Sequence, residues 1–119
     1  MFTGAVVTTD DVVEARVFDG LTAMQDAVNG YLEHVVVDDD VHLYVNEEGL
    51  MMNLPVNLTI EWWLNQMESG IKQPYLRGDI IVFGGIDDDG DEMDLKPELL
   101  AELLQSRPDL LRHPDSEGK

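Results

Sequence analysis

Leu32-Glu33-His34-Val35-Val36-Val37-Asp38-Asp39-Asp40-Val41-His42-Leu43-Tyr44-Val45-Asn46 is the stretch that decides how this chain folds. Two runs rich in β-branched and aromatic residues flank three consecutive aspartates, the composition of a β-hairpin closed by a three-residue loop. Pairing Val37 with Val41 puts Val35, Val37, Val41, Leu43 and Val45 on one face, and His34, Val36, His42 and Tyr44 on the other. A slip of one residue would turn the aliphatic set to water. The aliphatic face is therefore expected against the core, and the mixed face exposed or under a loop.

Upstream, Ala5–Thr8 and Val12–Phe18 read as strands around the turn Thr9-Asp10-Asp11, and Val13, Ala15 and Val17 alternate with Glu14 and Arg16 as in a half-buried strand. Asp19 stands where a helix N-cap is expected. Leu21, Met24, Val28 and Tyr31 then form one stripe of a short helix over Leu21–Asn29. Asn29-Gly30 stops it, with Gly30 suited to the left-handed conformation that closes a helix.

Downstream, Glu47-Glu48-Gly49 turns the chain, with Gly49 expected at positive φ, and Leu50–Leu54 is expected to return as a short strand. Pro55 fixes the exit and Asn57 stands where the next helix needs a cap. That helix is expected from Leu58 to Glu68, burying Ile60, Trp63, Leu64 and Met67 and ending at Gly70. Trp62 points elsewhere, on the side of Leu58 and Asn65. Asp79–Gly84 reads as a central strand, Asp87-Asp88-Asp89-Gly90-Asp91 as a turn, and Asp94–Glu98 opens a third helix with Pro97 in its first turn. Leu99, Leu100, Leu103 and Leu104 supply that helix's apolar face, and Pro108 and Pro114 interrupt the chain beyond it. The expectation is a single α+β domain over residues 1–106, a small, mostly antiparallel sheet of hairpins with two to three short helices. A tail over 107–119 is expected to be partly disordered.

The chain has 119 residues, 44% of them apolar, enough for one domain with a modest core. It has no cysteine, which excludes disulfides, thiolate chemistry and Cys-based zinc sites. No segment is apolar and long enough to span a bilayer, and the N-terminus lacks a signal-peptide pattern, so a cytoplasmic location is expected. Seven Lys and Arg against 25 Asp and Glu leave a formal net charge of −18. Between Arg16 and Lys72 there is no basic residue, yet that span carries ten carboxylates from Asp19 to Glu68. Such a surface repels nucleic acid and anionic membranes, so neither is an expected partner. A basic protein, metal ions or a saline cytosol remain as explanations.

The order of short motifs is informative in itself. Gly30-Tyr31-Leu32-Glu33, Asn46-Glu47-Glu48-Gly49, Leu54-Pro55-Val56-Asn57, "GDIIVFGG" at 78–85 and "LKPELL" at 95–100 succeed one another, and from about Phe2 to Leu104 the chain resembles the domain-of-unknown-function family 3846 (DUF3846). Members are small proteins found mainly in bacteriophages and bacterial mobile elements. The resemblance implies an origin and a fold, with no reaction attached. A tryptophan-bearing segment between Asn57 and Tyr75 and the abundance of acid depart from the usual pattern.

Several residues invite chemistry. Asp87–Glu92 suggests a calcium loop, but the glycine falls fourth where an EF-hand needs it sixth, and the twelfth residue, Glu98, lies beyond a proline. A solvated Asp-Gly turn accounts for it better. His34 and His42 share a hairpin face with Tyr44, yet two imidazoles without a third ligand make a poor zinc site. Glu47 and Glu48 are adjacent and point apart in extended chain, and no serine, lysine or histidine near them completes a nucleophile. Gly84-Gly85 leads into aspartates, which would repel phosphate. Leu50, Met51, Met52 and Leu54 read most simply as core and sheet residues, with an adaptable binding surface as the alternative. Trp62 is a possible interface anchor whose default is burial. No catalytic residue, metal or cofactor is expected, and the oligomeric state is left open.

The leading expectation is a non-enzymatic accessory protein of phage or mobile-element origin, binding a basic surface on a host protein that normally holds DNA. Asp38, Asp39, Asp40, Glu47, Glu48, Asp87, Asp88, Asp89 and Asp91, all in turns, would bear that contact. One alternative is an ordinary structural or accessory domain whose acidity is a proteome or salt adaptation. Another is weak binding of a divalent ion or small ligand near Asn46–Asn57. Whether the acidic turns share one end of the domain separates the first reading from the second.

Overall fold

A computed structural model describes residues 1–67 and 76–105. Five strands and three helices succeed one another in the order β1 (Phe2–Val7), β2 (Val13–Phe18), α1 (Leu21–Val28), β3 (Leu32–Val36), β4 (His42–Asn46), α2 (Leu58–Gln66), β5 (Ile80–Phe83) and α3 (Pro97–Leu104). The strands form one sheet in the order β2-β1-β5-β4-β3, every neighbouring pair antiparallel. The fold is α+β, as the hairpin pattern requires.

The alternation of side chains across each strand divides the core into two. Ala5, Val7, Val35, Val37, Val41, Leu43, Val45, Ile80 and Val82 face α2 and α3, where Ile60, Trp63, Leu64 and Leu103 close over them. Phe2, Val6, Phe18, Ile81 and Phe83 face α1, meeting Met24, Ala27 and Val28. β5 is central and buried throughout, which is why Ile80–Phe83 is an unbroken apolar run with no polar face. The β3–β4 register is the one the sequence dictates: Val36 pairs with His42, Val35 with Leu43 and His34 with Tyr44. Burial of each such aliphatic side chain stabilises by about 1.5–3 kcal/mol, which holds that register against a slip.

α2 starts as expected, with the Asn57 side chain accepting from Ile60 N at 3.1 Å. α3 carries Pro97 in its first turn, where a missing N–H costs nothing. Other local expectations need correction. α1 begins after Gly20, without a side-chain cap from Asp19, and it is Asn29, at φ 65°, that closes the helix. Gly30 is small for a different reason: a Cβ there would meet Asn46 Nδ2 at 2.7 Å. Two turns are too short to bury both ends of the expected stripe, so Leu21 and Tyr31 are exposed. Ala15 and Val17 on edge strand β2, and Leu104 at the end of α3, are exposed as well. α2 closes at Met67, and the expected stop at Gly70 lies outside the described residues, as does the tail over 107–119.

The largest correction concerns residues 47–54, which form tight turns and no strand. Met52 N donates to Glu48 O at 2.8 Å, Asn53 N to Leu50 O at 3.0 Å and Leu54 N to Gly49 O at 2.9 Å. Asn53, at φ 55°, supplies the left-handed residue expected of Gly49. Gly49 instead packs on Arg77, whose Cβ would lie 3.3 Å from an added Cβ. Both edges of β4 are already taken, by β3 and β5, so a strand returning beside it would find no ladder to join.

Candidate functional site

The strand registers fix which loops share an end. Phe2 pairs with Phe18, and His42 with both Val36 and Phe83, so these residues mark one end of the sheet. Val7 pairs with Val13 and Ile80, and Asn46 with Leu32, marking the other. The Asp38–Asp40 loop and the segment carrying Asp87–Asp91 therefore leave the sheet at the same end. Glu47 and Glu48 leave at the opposite end, which also carries the β1–β2 turn with Asp10 and Asp11. The nine carboxylates singled out in the sequence thus divide seven to two.

The seven are not equivalent. Asp38 Oδ1 accepts from Asp40 N at 2.9 Å, and Asp87 Oδ1 accepts from Asp89 N and Asp91 N, each at 2.9 Å. These two carboxylates shape their own loops, as aspartate does in Asx-turns. Asp40 pairs with Lys96 at 3.1 Å, both about half exposed. Asp39, Asp88, Asp89 and Asp91 are exposed, and their side chains accept no hydrogen bond from the described residues. Ile86 and Glu92 form the bridge at the base of the second turn, and Gly84 lets the returning chain cross β5, since a Cβ there would lie 2.0 Å from Asp94 O.

A ring cluster lies beneath this end on the α1 face. His34 Nε2 and His42 Nδ1 are 2.7 Å apart, so one ring donates and the other accepts. Their rings stack at 4.9 Å, and Phe83 lies beside both. Tyr44 stacks on Phe83 at 4.5 Å and donates to Glu92 Oε2 at 2.7 Å. Partial burial, more than the neighbouring His34, holds His42 below the ordinary histidine value, against the opposing pull of Asp38 and Asp39. Burial and the bond to Glu92 push the Tyr44 hydroxyl above its ordinary value. Among the described residues no group of three or more His, Asp or Glu is placed to hold a metal ion.

The opposite end is built around two asparagines. Asn46 Nδ2 donates to Val28 O and Asn29 O at 3.1 and 3.2 Å, and its Oδ1 accepts from Glu48 N at 2.8 Å. Asn57 Nδ2 donates to Val7 O and Gly78 O, both at 2.9 Å, while Oδ1 caps α2. Nothing in the sequence announces the clamp made by Asn46, because an asparagine after a strand reads equally as a turn former. Leu50, Met51 and Met52, expected in the core, are instead 73%, 84% and 52% exposed. Trp62 is partly buried against the α2-side core and, with Trp63, Gln66, Glu102 and Gln105, lines a cleft of about 300 Å³. Trp63 Nε1 donates to Glu102 Oε1 at 3.1 Å across that cleft.

Residues 2–107 match the family described as Domain of unknown function (DUF3846). The chain belongs to this family. No curated protein and no solved structure matches it. Membership in DUF3846 brings no reaction with it. No helix among the described residues is long and apolar enough to cross a membrane.

Proposed function

We propose that this DUF3846 protein is a non-enzymatic accessory protein of a phage or mobile element, acting in the host cytoplasm by protein–protein contact. Its Asp38–Asp40 and Asp87–Asp91 turns present carboxylates to a basic host-protein surface that ordinarily holds DNA. The observation that supports this reading is the departure of both turns from one end of the sheet, with Asp39, Asp88, Asp89 and Asp91 facing water. Close carboxylates reinforce one another's field, steer a cationic partner and lose that advantage as salt screens them. Glu47 and Glu48, at the other end, take no part in this contact.

The test is capture of host proteins by the full chain at low and at high salt. Changing the seven aspartates of the two turns to asparagine keeps the loop-shaping acceptors and removes the charge. The expected result is loss of a salt-sensitive partner with the fold intact; capture that persists unchanged overturns the proposal.

A second reading has its own support. Asp10, Asp26, Glu33, Glu47, Glu48 and Glu98 are exposed elsewhere on the molecule, as a general adaptation to salt would have it. Under that reading the chain unfolds as salt is withdrawn. Under the first it stays folded in dilute buffer.

A further inference from the structure

We infer that the turn at residues 48–53 is a preformed apolar knob that docks into a groove on a partner protein, the groove being apolar inside and rimmed by Lys or Arg. Leu50, Met51 and Met52 are consecutive, large and exposed. Single apolar side chains on a surface need no explanation, but a run of three displayed together does.

The display is built in. The backbone of the turn closes on itself through Gly49 N to Asn46 O, Met52 N to Glu48 O, Asn53 N to Leu50 O and Leu54 N to Gly49 O. Asn46 Oδ1 holds Glu48 N from inside, Arg77 donates to Leu54 O at 2.7 Å, and Asn53 takes the left-handed conformation that ends the turn. A segment fixed this way loses little conformational freedom on binding. Methionine adds side chains that adapt to an irregular apolar wall.

Charge selects the occupant. Glu47 and Glu48, both exposed, border the knob directly. No basic residue occurs between Arg16 and Lys72, and the Arg77 guanidinium reaches inward to Leu54 O. A second copy would bring the same glutamates against themselves, and an anionic bilayer would be repelled by a chain of net charge −18. A groove with a cationic rim complements both parts of the surface. This site lies at the opposite end from the Asp38–Asp40 and Asp87–Asp91 turns and stands independently of the proposal made for them.

The test places a benzophenone photocrosslinking side chain at position 51 of the full chain, with a control at the exposed Val36 near the other end. Irradiation in an extract of the organism's cells is followed by mapping of the crosslinked peptides. The expected result is one adduct specific to position 51, on a protein segment that is apolar and flanked by Lys or Arg. Its yield falls at least tenfold in Leu50→Ser/Met52→Ser and several-fold in Glu47→Gln/Glu48→Gln, with melting temperatures unchanged, and survives neutralisation of the two aspartate turns. Adducts to a second copy of the chain, to lipid or to segments without a basic flank overturn the inference. So does an equal yield from position 36, a yield indifferent to the variants, or no adduct.

Discussion

The two ends of the sheet use short polar side chains of the same shape, aspartate at one and asparagine at the other, in opposite ways. At one, Asp38 and Asp87 bind only their own loop amides, Asp40 pairs with Lys96 at the surface and the other four aspartates face water, so the turns depend little on the rest of the fold. At the other, Asn46 and Asn57 are buried, and each joins segments distant in sequence: α1 to the turn after β4, and β1 to the entry of β5 and to α2. The difference is one of charge. A neutral amide can be buried when its donors and acceptor are satisfied, whereas a carboxylate in the same place would carry a large desolvation cost. The acidic end is therefore replaceable for stability, and the asparagine end is not.

The sharpest way to break that contrast is Asn57→Ala. It leaves Val7 O and Gly78 O without their donor and α2 without its cap, and a loss of about 3 kcal/mol in urea denaturation is expected. A loss below about 1 kcal/mol would remove the distinction. Asn46→Ala comes next, at about 2 kcal/mol by the same measurement, since it strips the amide of Glu48 and the C-terminus of α1 of their partner. Changing the seven aspartates of the two turns to asparagine should go the other way, raising stability by up to about 1 kcal/mol through relief of repulsion. That gain should vanish near about 1 M salt, where the screening length falls to about 3 Å.

A smaller effect belongs to the ring cluster under the acidic end. Because His42 is held below its ordinary value in the folded protein, the unfolded chain takes up that proton first as pH falls. Stability should drop as pH passes below about 6.5 and level off once the folded imidazole also protonates. Comparing urea midpoints at about pH 7.5 and 5.5, wild type should lose more than His42→Gln, which has nothing to titrate there. The least effect on stability is expected from Met51→Ser, within about 0.5 kcal/mol in either direction, because its side chain already sits in water. A larger cost would mean that the knob is part of the core.

Much of this architecture is legible in the chain alone. The hairpin register, the central place of Ile80–Phe83, the Asn57 cap and the helix start at Pro97 each obey a local rule whose signal lies within a few residues. The misreadings share a cause as well. Leu50–Leu54 reads as a strand because it is apolar, but its unbranched side chains suit a helical turn equally well, and β4, already paired on both sides, left it no partner there. Gly30 and Gly49 read as residues of special backbone conformation, although their lack of a side chain serves packing against Asn46 and Arg77.

The sequence by itself determined the α+β class, the two faces of the β3–β4 hairpin, the acidic turns that follow β3 and β5 and the net charge of −18, because alternation, capping and composition are properties of neighbouring residues. Only the tertiary structure decided which acidic turns share an end, that Leu50, Met51 and Met52 face water, and that Asn46 holds α1 to the turn beyond β4. Each of these depends on which strands lie side by side. In a sheet ordered β2-β1-β5-β4-β3 those adjacencies join residues far apart in the chain, where no local pattern records them.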